Sequence, residues 1–143
     1  MMSVQWLRSK VYRMPEEFAI LIAERNRHVR DFLRREFVAE GFRVEVAKDA
    51  REVLTVIDRD PPPDLLILDL EIPFTDGTAI LERLEQKVPP LPVIIHTFLT
   101  EYKGDLKAAA FVEKSENPQN LKTAVEELLK RHYPNRFAAF GQS

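Results

Sequence analysis

The stretch of the chain that decides the fold is Asp64-Leu65-Leu66-Ile67-Leu68-Asp69-Leu70-Glu71-Ile72-Pro73-Phe74-Thr75-Asp76-Gly77-Thr78. Its four consecutive aliphatic residues, 65–68, would make a strand that is apolar on both faces. Antiparallel strands with one solvated face alternate instead, so this run predicts a central strand of a covered parallel sheet. The run ends at Asp69, and open α/β sheets bind ligands at the carboxyl ends of their strands. A lone aspartate there usually just ends a strand or caps a turn, so its interpretation depends on its partners.

Four more segments have the pattern of strands. Residues 18–23, 93–95 and 110–112 are apolar runs, whereas residues 42–46 alternate with period two, which indicates a strand nearer an edge. Helical periodicity follows from Asn26, Asp49, Thr78 and Asn117, and residues 101–109 predict a short, weak helix at best. Strands that alternate with helices predict a five-stranded parallel sheet with helices on both faces, in the flavodoxin-like α/β order 2-1-3-4-5.

The composition fits one folded domain. The chain has 143 residues, of which 45% are hydrophobic and 31% charged, with a net charge of -2. This charge gives no indication of a nucleic-acid or membrane partner. The chain has no cysteine, which excludes disulfides, thiolate metal sites and cysteine catalysis, and its four glycines form no phosphate-binding loop motif. The apolar runs are too short to span a bilayer, so we expect a cytoplasmic protein.

The predicted strand order brings together the carboxyl ends of four strands. Glu24 and Arg25 follow the first strand, Asp69 the third, Thr97 the fourth and Lys114 the fifth. We therefore expect these side chains to lie at one place at the edge of the sheet.

These residues resemble the receiver domain of two-component response regulators, over about residues 18–131. The resemblance lies in three motifs that occur in order: Asp69-Leu70-Glu71-Ile72-Pro73 with Asp76-Gly77, then Pro92-Val93-Ile94-Ile95-His96-Thr97, then Phe111-Val112-Glu113-Lys114. It implies a fold of the CheY-like kind. It also implies signal transduction by protein–protein contacts, with at most self-catalysed phosphotransfer and hydrolysis as enzymatic activity.

The resemblance implies a role for each matching residue. Asp69 would be the phosphoacceptor that forms an aspartyl phosphate, and Lys114 would balance the phosphoryl charge together with Mg²⁺. Thr97 would be the switch hydroxyl, and Phe111 the switch aromatic that reshapes the surface read by partners. Glu24, Asp69 and Glu71 would be the metal ligands.

Arg25 departs from the family pattern, which has an acidic pair at the positions of Glu24 and Arg25. A guanidinium cannot bind Mg²⁺, which prefers carboxylate and water oxygens. At about 4 Å from Asp69 its charge would interact by roughly 4 kcal/mol at an effective dielectric near 20. We therefore expect Arg25 to supply charge in place of the metal and Mg²⁺ binding to be weakened. The alternative is that Arg25 turns to solvent and contributes little.

Two further residues are atypical. Phe98 stands where the family usually has a small residue, and we expect it to cover access to Asp69. Ser115 replaces a proline that follows a cis bond in the family, so we expect a trans peptide after Lys114. His96 is a single histidine on a strand, for which packing is favoured over proton chemistry.

The sequence supports two functions about equally: a working receiver that is phosphorylated at Asp69, and a pseudo-receiver interaction module that is never phosphorylated. A remote third function is that of a haloacid-dehalogenase-like phosphatase. In those enzymes a second acidic residue lies two positions after the aspartate nucleophile and directly before Gly-Thr, whereas Glu71 in this chain is followed by Ile72-Pro73. The implied partners are a histidine kinase or phosphotransfer protein and a downstream protein target, with the chain as monomer or homodimer. We divide the chain into a leader (1–17), a receiver domain (18–132) and a C-terminal tail (133–143).

Overall fold

Five parallel strands form one sheet, in a computed structural model that describes residues 17–74, 77–87, 90–98 and 108–140. They are β1 (Ala19–Ala23), β2 (Arg43–Ala47), β3 (Leu65–Leu68), β4 (Val93–Thr97) and β5 (Ala110–Glu113). Their order is β2-β1-β3-β4-β5, and every neighbouring pair is parallel. The predicted sheet order and fold class are thus confirmed.

Helices cover both faces of this sheet. They are α1 (Arg27–Ala39), α2 (Ala50–Ile57), α3 (Gly77–Glu85), α4 (Gln119–His132) and α5 (Pro134–Phe140). One core lies between the sheet and α2 and α3, and the other between the sheet and α1 and α4. Residues of β3 alternate between these two cores, and all four are buried. Both faces of β3 are therefore covered, which explains why its four residues are all aliphatic, as the sequence indicated.

The alternating strand β2 lies at one edge of the sheet. Its first residue is exposed, its next three are half-buried and its last is buried. The predicted edge position is therefore confirmed, although burial does not alternate along the strand. The helix before it, α1, is followed by Gly41, whose φ of 96° lies in the left-handed region that favours glycine.

The C-terminal segment differs from the prediction of a tail. Residues 134–140 form helix α5, and Phe137 and Phe140 pack against the core beside Phe18. Arg136 of this helix pairs with the buried Asp64 at 3.0 Å and donates a hydrogen bond to the Glu17 carbonyl at 2.7 Å. The seven residues that begin with Pro134 gave too short a pattern to predict a helix, and tertiary contacts stabilise it.

Several predictions fall outside the described residues. They concern leader residues 1–16, Asp76 of the predicted turn, tail residues 141–143 and most of the weak helix over 101–109. In the described part of the chain no helix combines the length and apolarity that crossing a membrane requires.

Candidate functional site

The loops at the carboxyl ends of the strands carry the candidate site. Asp69 directly follows β3, Glu24 and Arg25 follow β1, and Lys114 follows β5. Glu24 and Asp69 are almost fully buried, with 1% and 3% of their surface exposed. Burial of charged groups is costly unless they are paired, so the pairing of these side chains determines what the site can do.

Lys114 joins two buried carboxylates. Its Nζ lies 2.8 Å from Oε1 of Glu24 and 3.3 Å from Oδ2 of Asp69, and its own side chain is buried. The Lys114 backbone N–H donates to the Thr97 carbonyl at 2.7 Å, which fixes the start of the β5–α4 loop against β4. The predicted proximity of Lys114 and Asp69 is therefore present in the structure.

Arg25 lies against the acidic residues and does not turn away to solvent. Its guanidinium is 2.5 Å from Oε2 of Glu71, and its Nε is 3.7 Å from Oδ2 of Asp69. The side chains of Arg25 and Glu71 are both nearly half exposed, so solvent screens this pair. Two cationic side chains thus approach the same oxygen of Asp69, one from the buried side and one from the solvent side.

Backbone groups orient the Asp69 carboxylate. Its Oδ1 accepts a hydrogen bond from the Glu71 N–H at 3.0 Å, and its Oδ2 accepts one from the Arg25 N–H at 3.3 Å. The Asp69 N–H donates to the Ala23 carbonyl at 2.9 Å, which holds the residue beside β1. The carboxylate is therefore held in a fixed orientation at the mouth of the sheet.

Two residues that the sequence interpretation missed hold Glu24 in place. The Asn26 N–H donates to Oε2 of Glu24 at 2.7 Å, and the Arg30 guanidinium donates to the Glu24 carbonyl at 2.9 Å. Asn26 also caps helix α1, because its side chain accepts from the backbone N–H groups of His28 and Val29. The helical periodicity that begins at Asn26 was the signal that could have identified this cap.

The predicted magnesium ligands, Glu24, Asp69 and Glu71, lie close to cationic side chains. No group of three or more histidine, aspartate or glutamate side chains among the described residues is placed to hold a metal ion. Glu24 is instead paired with Lys114, and Glu71 with Arg25. Each predicted ligand thus lies within ion-pair distance of a lysine or arginine, and the magnesium site stays a prediction.

The two predicted switch residues lie on the same face of the sheet. Thr97 pairs in register with Glu113, and Ile95 pairs with Phe111, so the side chains of Thr97 and Phe111 are diagonal neighbours. Thr97 is buried, whereas Phe111 is 39% exposed. The positions agree with the predicted roles, which stay predictions.

The two remaining atypical residues lie beside Lys114. The Lys114 Nζ is 5.2 Å from the centroid of the Phe98 ring, a distance at which a cation and an aromatic face attract each other. Phe98 is 65% exposed, so it does not bury the site within the described residues. The Lys114–Ser115 peptide is trans, because the one cis peptide in the described chain is Asp60–Pro61.

An open cavity of about 630 Å³ adjoins Lys114 on the side of helix α1. It is lined by His28, Val29, Phe32, Leu33, His96, Phe98, Lys114, Ser115 and Glu116. His96 is 5% exposed, and the pKa of its imidazole is lowered to about 4. Burial is the largest cause and the positive charge of Lys114 adds to it, while Asp69 opposes the shift. At neutral pH the imidazole is therefore uncharged.

Comparison with protein families identifies the chain. Residues 20–126, well over half of the sequence, match the family described as "Response regulator receiver domain". The chain belongs to this family. Receiver domains of response regulators are generally non-enzymatic signalling domains, and the predicted resemblance is confirmed.

Two relatives and two solved structures illustrate the similarity of this receiver domain to known proteins. The response regulator MprA of Mycolicibacterium vanbaalenii is 32% identical over 121 residues, which cover 81% of this chain and 52% of the relative. MprA of Mycobacterium leprae gives the same identity, with 81% and 53% covered. The chain thus spans about half the length of the curated relatives it matches.

The response regulator TrrA of Thermotoga maritima, solved in complex with Mg²⁺ and BeF, is 29% identical with a TM-score of 0.71. The match covers 78% of this chain and 99% of TrrA. A structure of the histidine kinase ThkA in complex with TrrA matches with a TM-score of 0.69 at 29% identity, covering 78% of this chain and 98% of the other. These structures have the fold described above.

Proposed function

We propose that this receiver domain accepts a phosphoryl group on Asp69 and signals through protein–protein contacts, with Arg25 supplying charge that other receivers obtain from Mg²⁺. The observation that carries the proposal is the placement of Asp69 between Lys114 and Arg25. Their nitrogen atoms lie 3.3 Å and 3.7 Å from the same carboxylate oxygen. Phosphoryl transfer depends mainly on positioning and on positive charge around the phosphoryl oxygens, and both are available here.

The proposed reaction is a transfer between two nucleophiles. A carboxylate oxygen of Asp69 attacks the phosphorus of a phosphohistidine, the P–N bond breaks, and the histidine nitrogen leaves with the bonding electron pair. Lys114 then moves its ion pair from Asp69 toward the phosphoryl oxygens while it keeps Glu24. Thr97, at the end of β4, donates its hydroxyl to a phosphoryl oxygen, and Phe111 follows on the same sheet face.

The partner in this reaction is a histidine kinase or a phosphotransfer protein. The complex of ThkA with the similar receiver TrrA supports this assignment. The downstream target is a protein that contacts the face near Phe111. Because the relatives are about twice as long as the match, this target is either a separate protein or a further domain of a longer regulator.

Magnesium binds weakly in the proposed state. The bound Mg²⁺ in the TrrA complex shows that a similar receiver takes this ion. In this chain the Arg25 guanidinium stands between Asp69 and Glu71, and its charge opposes a divalent cation at the same place. Magnesium would therefore have to displace an ion pair before it reached the carboxylates.

The experiment is intact-mass spectrometry after incubation with acetyl phosphate, with and without Mg²⁺. The proposal expects a single phosphoryl adduct that is absent in Asp69→Asn and depends little on Mg²⁺. An adduct that forms only with Mg²⁺ would show that Arg25 does not replace the charge of the metal. Adduct formation in Asp69→Asn would show that another residue is the acceptor.

A pseudo-receiver that is never phosphorylated is the second candidate. The pairing of every site carboxylate with a cation favours it, because such a network is stable without a phosphoryl group. It predicts no adduct in the wild-type chain under either condition. Restoration of the adduct by Arg25→Asp with Mg²⁺ would identify the arginine as the cause.

A further inference from the structure

Glu24 is almost fully buried, and the loops around it hold every polar group of the residue except one carboxylate oxygen. Its N–H donates to the Ala47 carbonyl at 3.0 Å, and its carbonyl accepts from the Arg30 guanidinium at 2.9 Å. Its Oε2 accepts from the Asn26 N–H at 2.7 Å. The other oxygen, Oε1, forms no hydrogen bond with any described residue and lies 2.8 Å from Nζ of Lys114. The loops therefore fix this carboxylate with one oxygen directed at the lysine ammonium.

The side chain of Lys114 is held at both ends. Its backbone N–H donates to the Thr97 carbonyl at 2.7 Å, and its Nζ lies 2.8 Å from Glu24 but 3.3 Å from Asp69. Because Coulomb attraction weakens with distance, the nearer carboxylate has the larger effect on where the ammonium lies. We propose that Glu24 is a positioning residue that anchors the Lys114 ammonium beside Asp69 for phosphoryl transfer. This inference rests on the proposed role of Asp69 as phosphoacceptor.

The charges of the site divide between its two cationic side chains. Oδ2 of Asp69 has a second cation nearby, since Nε of Arg25 is 3.7 Å away. The Glu24 carboxylate has Lys114 as its cationic partner in the described part of the chain. Loss of the contact between Lys114 and Glu24 would therefore leave a buried carboxylate unpaired, which is costly. Lys114 is thus bound more strictly to Glu24 than to Asp69.

Phosphorylation would change the charge of Asp69 but not that of Glu24. When an Asp69 oxygen attacks the phosphorus of a phosphohistidine, that oxygen becomes the bridging atom of an acyl phosphate, and the negative charge then lies on the phosphoryl oxygens. An ammonium anchored on Glu24 keeps its place while its attraction shifts to those oxygens. A lysine anchored on Asp69 alone would have to find a new position during the reaction.

Lysine ammonium signals in nitrogen–proton NMR test the anchor without any phosphorylation. Such signals are seen where burial and pairing slow the exchange of protons with water, and the Lys114 side chain is 6% exposed. We expect a Lys114 signal in wild type, assigned by its absence in Lys114→Arg. It should persist in Asp69→Asn and disappear in Glu24→Gln, which keeps an acceptor for the Asn26 N–H but carries no charge.

The rate of adduct formation with acetyl phosphate in Mg²⁺-free buffer tests the effect on phosphoryl transfer. Glu24→Gln should form the Asp69 adduct about tenfold more slowly, because a misplacement of about 1 Å can cost up to about a hundredfold in rate. Glu24→Asp keeps the charge on a shorter side chain and should recover part of the rate. Glu36→Gln is the matched control, since Glu36 pairs with Lys122 between α1 and α4. It should change neither the rate nor the Lys114 signal.

The two measurements separate this inference from the proposed function. No adduct in wild type would refute the phosphoacceptor role, and the ammonium signals would still show which carboxylate anchors Lys114. Absence of the Lys114 signal in wild type, its loss in Asp69→Asn or its persistence in Glu24→Gln would overturn the inference. So would an unchanged adduct rate in Glu24→Gln. Thermal unfolding verifies that each variant is folded, and the Asp69→Asn result decides the matter without the Glu24→Gln variant.

Discussion

The Nε of Arg25 lies 3.7 Å from Oδ2 of Asp69, the carboxylate that we propose as the phosphoacceptor. The same guanidinium is 2.5 Å from Glu71, so one positive group links two acidic residues that the sequence predicts as metal ligands. A fixed monovalent charge differs from Mg²⁺ in two respects. It cannot bind phosphoryl oxygens as an octahedral ion does, and it does not leave the site when the metal concentration falls.

Replacement of Arg25 should strengthen Mg²⁺ binding. Arg25→Asp removes a positive charge and adds a carboxylate beside Asp69, so we expect the dissociation constant measured by calorimetry to fall about tenfold or more. Arg27→Asp is the matched control, because Arg27 carries the same charge two residues later and pairs with Asp31 away from the site. Equal Mg²⁺ affinities of wild type and Arg25→Asp would refute the role given to Arg25.

Removal of Lys114 should destabilise the fold. Lys114→Met leaves Glu24, 1% exposed, without its counter-ion, and breaking a buried ion pair costs about 3–5 kcal/mol. Urea unfolding of the double variant Lys114→Met with Glu24→Gln should recover much of this loss, since no unpaired buried charge then remains. Lys122→Met, which removes a lysine paired with the more exposed Glu36 and Glu40, should cost much less, because solvent screens those pairs. Equal losses in both single variants would argue against this account.

The buried His96 should make stability depend on pH between about 4 and 6.5. Burial lowers the folded-state pKa of His96, so the unfolded chain binds a proton more readily, and stability is lost as pH falls through this range. The contribution lost from pH 8 to pH 5 is about 2 kcal/mol, at about 1.4 kcal/mol per pKa unit. The difference in unfolding free energy between wild type and His96→Val should change by this amount, with Asp69, Lys114, Glu116 and His28 present in both proteins. A pH-independent difference would mean that His96 titrates normally.

The ion pair between helix α5 and the sheet should also contribute to stability. Arg136→Met removes one ion pair of the buried Asp64, while the Ala19 N–H still donates to that carboxylate at 2.8 Å. We expect a loss of about 1–3 kcal/mol in chemical denaturation, less than for a fully buried pair because Arg136 is partly exposed. Arg131→Met, at an exposed position of α4, should change stability by less than about 0.5 kcal/mol.

Sequence alone predicted the sheet because its information is local. The aliphatic run of β3 indicates a strand buried on both faces, and the alternation of β2 indicates a strand near an edge. The alternation of strands with helices then leaves few possible strand orders in the sheet. The approach of Lys114 to Asp69 followed from that order. The roles of Thr97 and Phe111 depend on a change of state and stay predictions.

Features that depend on contacts between distant residues were not predictable. Arg25 could equally have turned to solvent, and only its distance from Glu71 distinguishes the two arrangements. Helix α5 is stabilised by Phe18 and Asp64, which are more than sixty residues away, so its own short sequence gave no signal. The cavity at His96 likewise requires α1, β4 and the β5–α4 loop together.

Helix α5 has a consequence for how the domain can be joined to other chains. The hydrogen bond from Arg136 to the Glu17 carbonyl places the start and the end of the described domain at the amino-terminal edge of the sheet. Asp69 lies at the opposite edge, one strand length away. A fluorescent protein or affinity tag fused directly before Glu17 or after Phe140 would therefore be tethered at the amino-terminal ends of the strands, opposite the loops that carry Asp69.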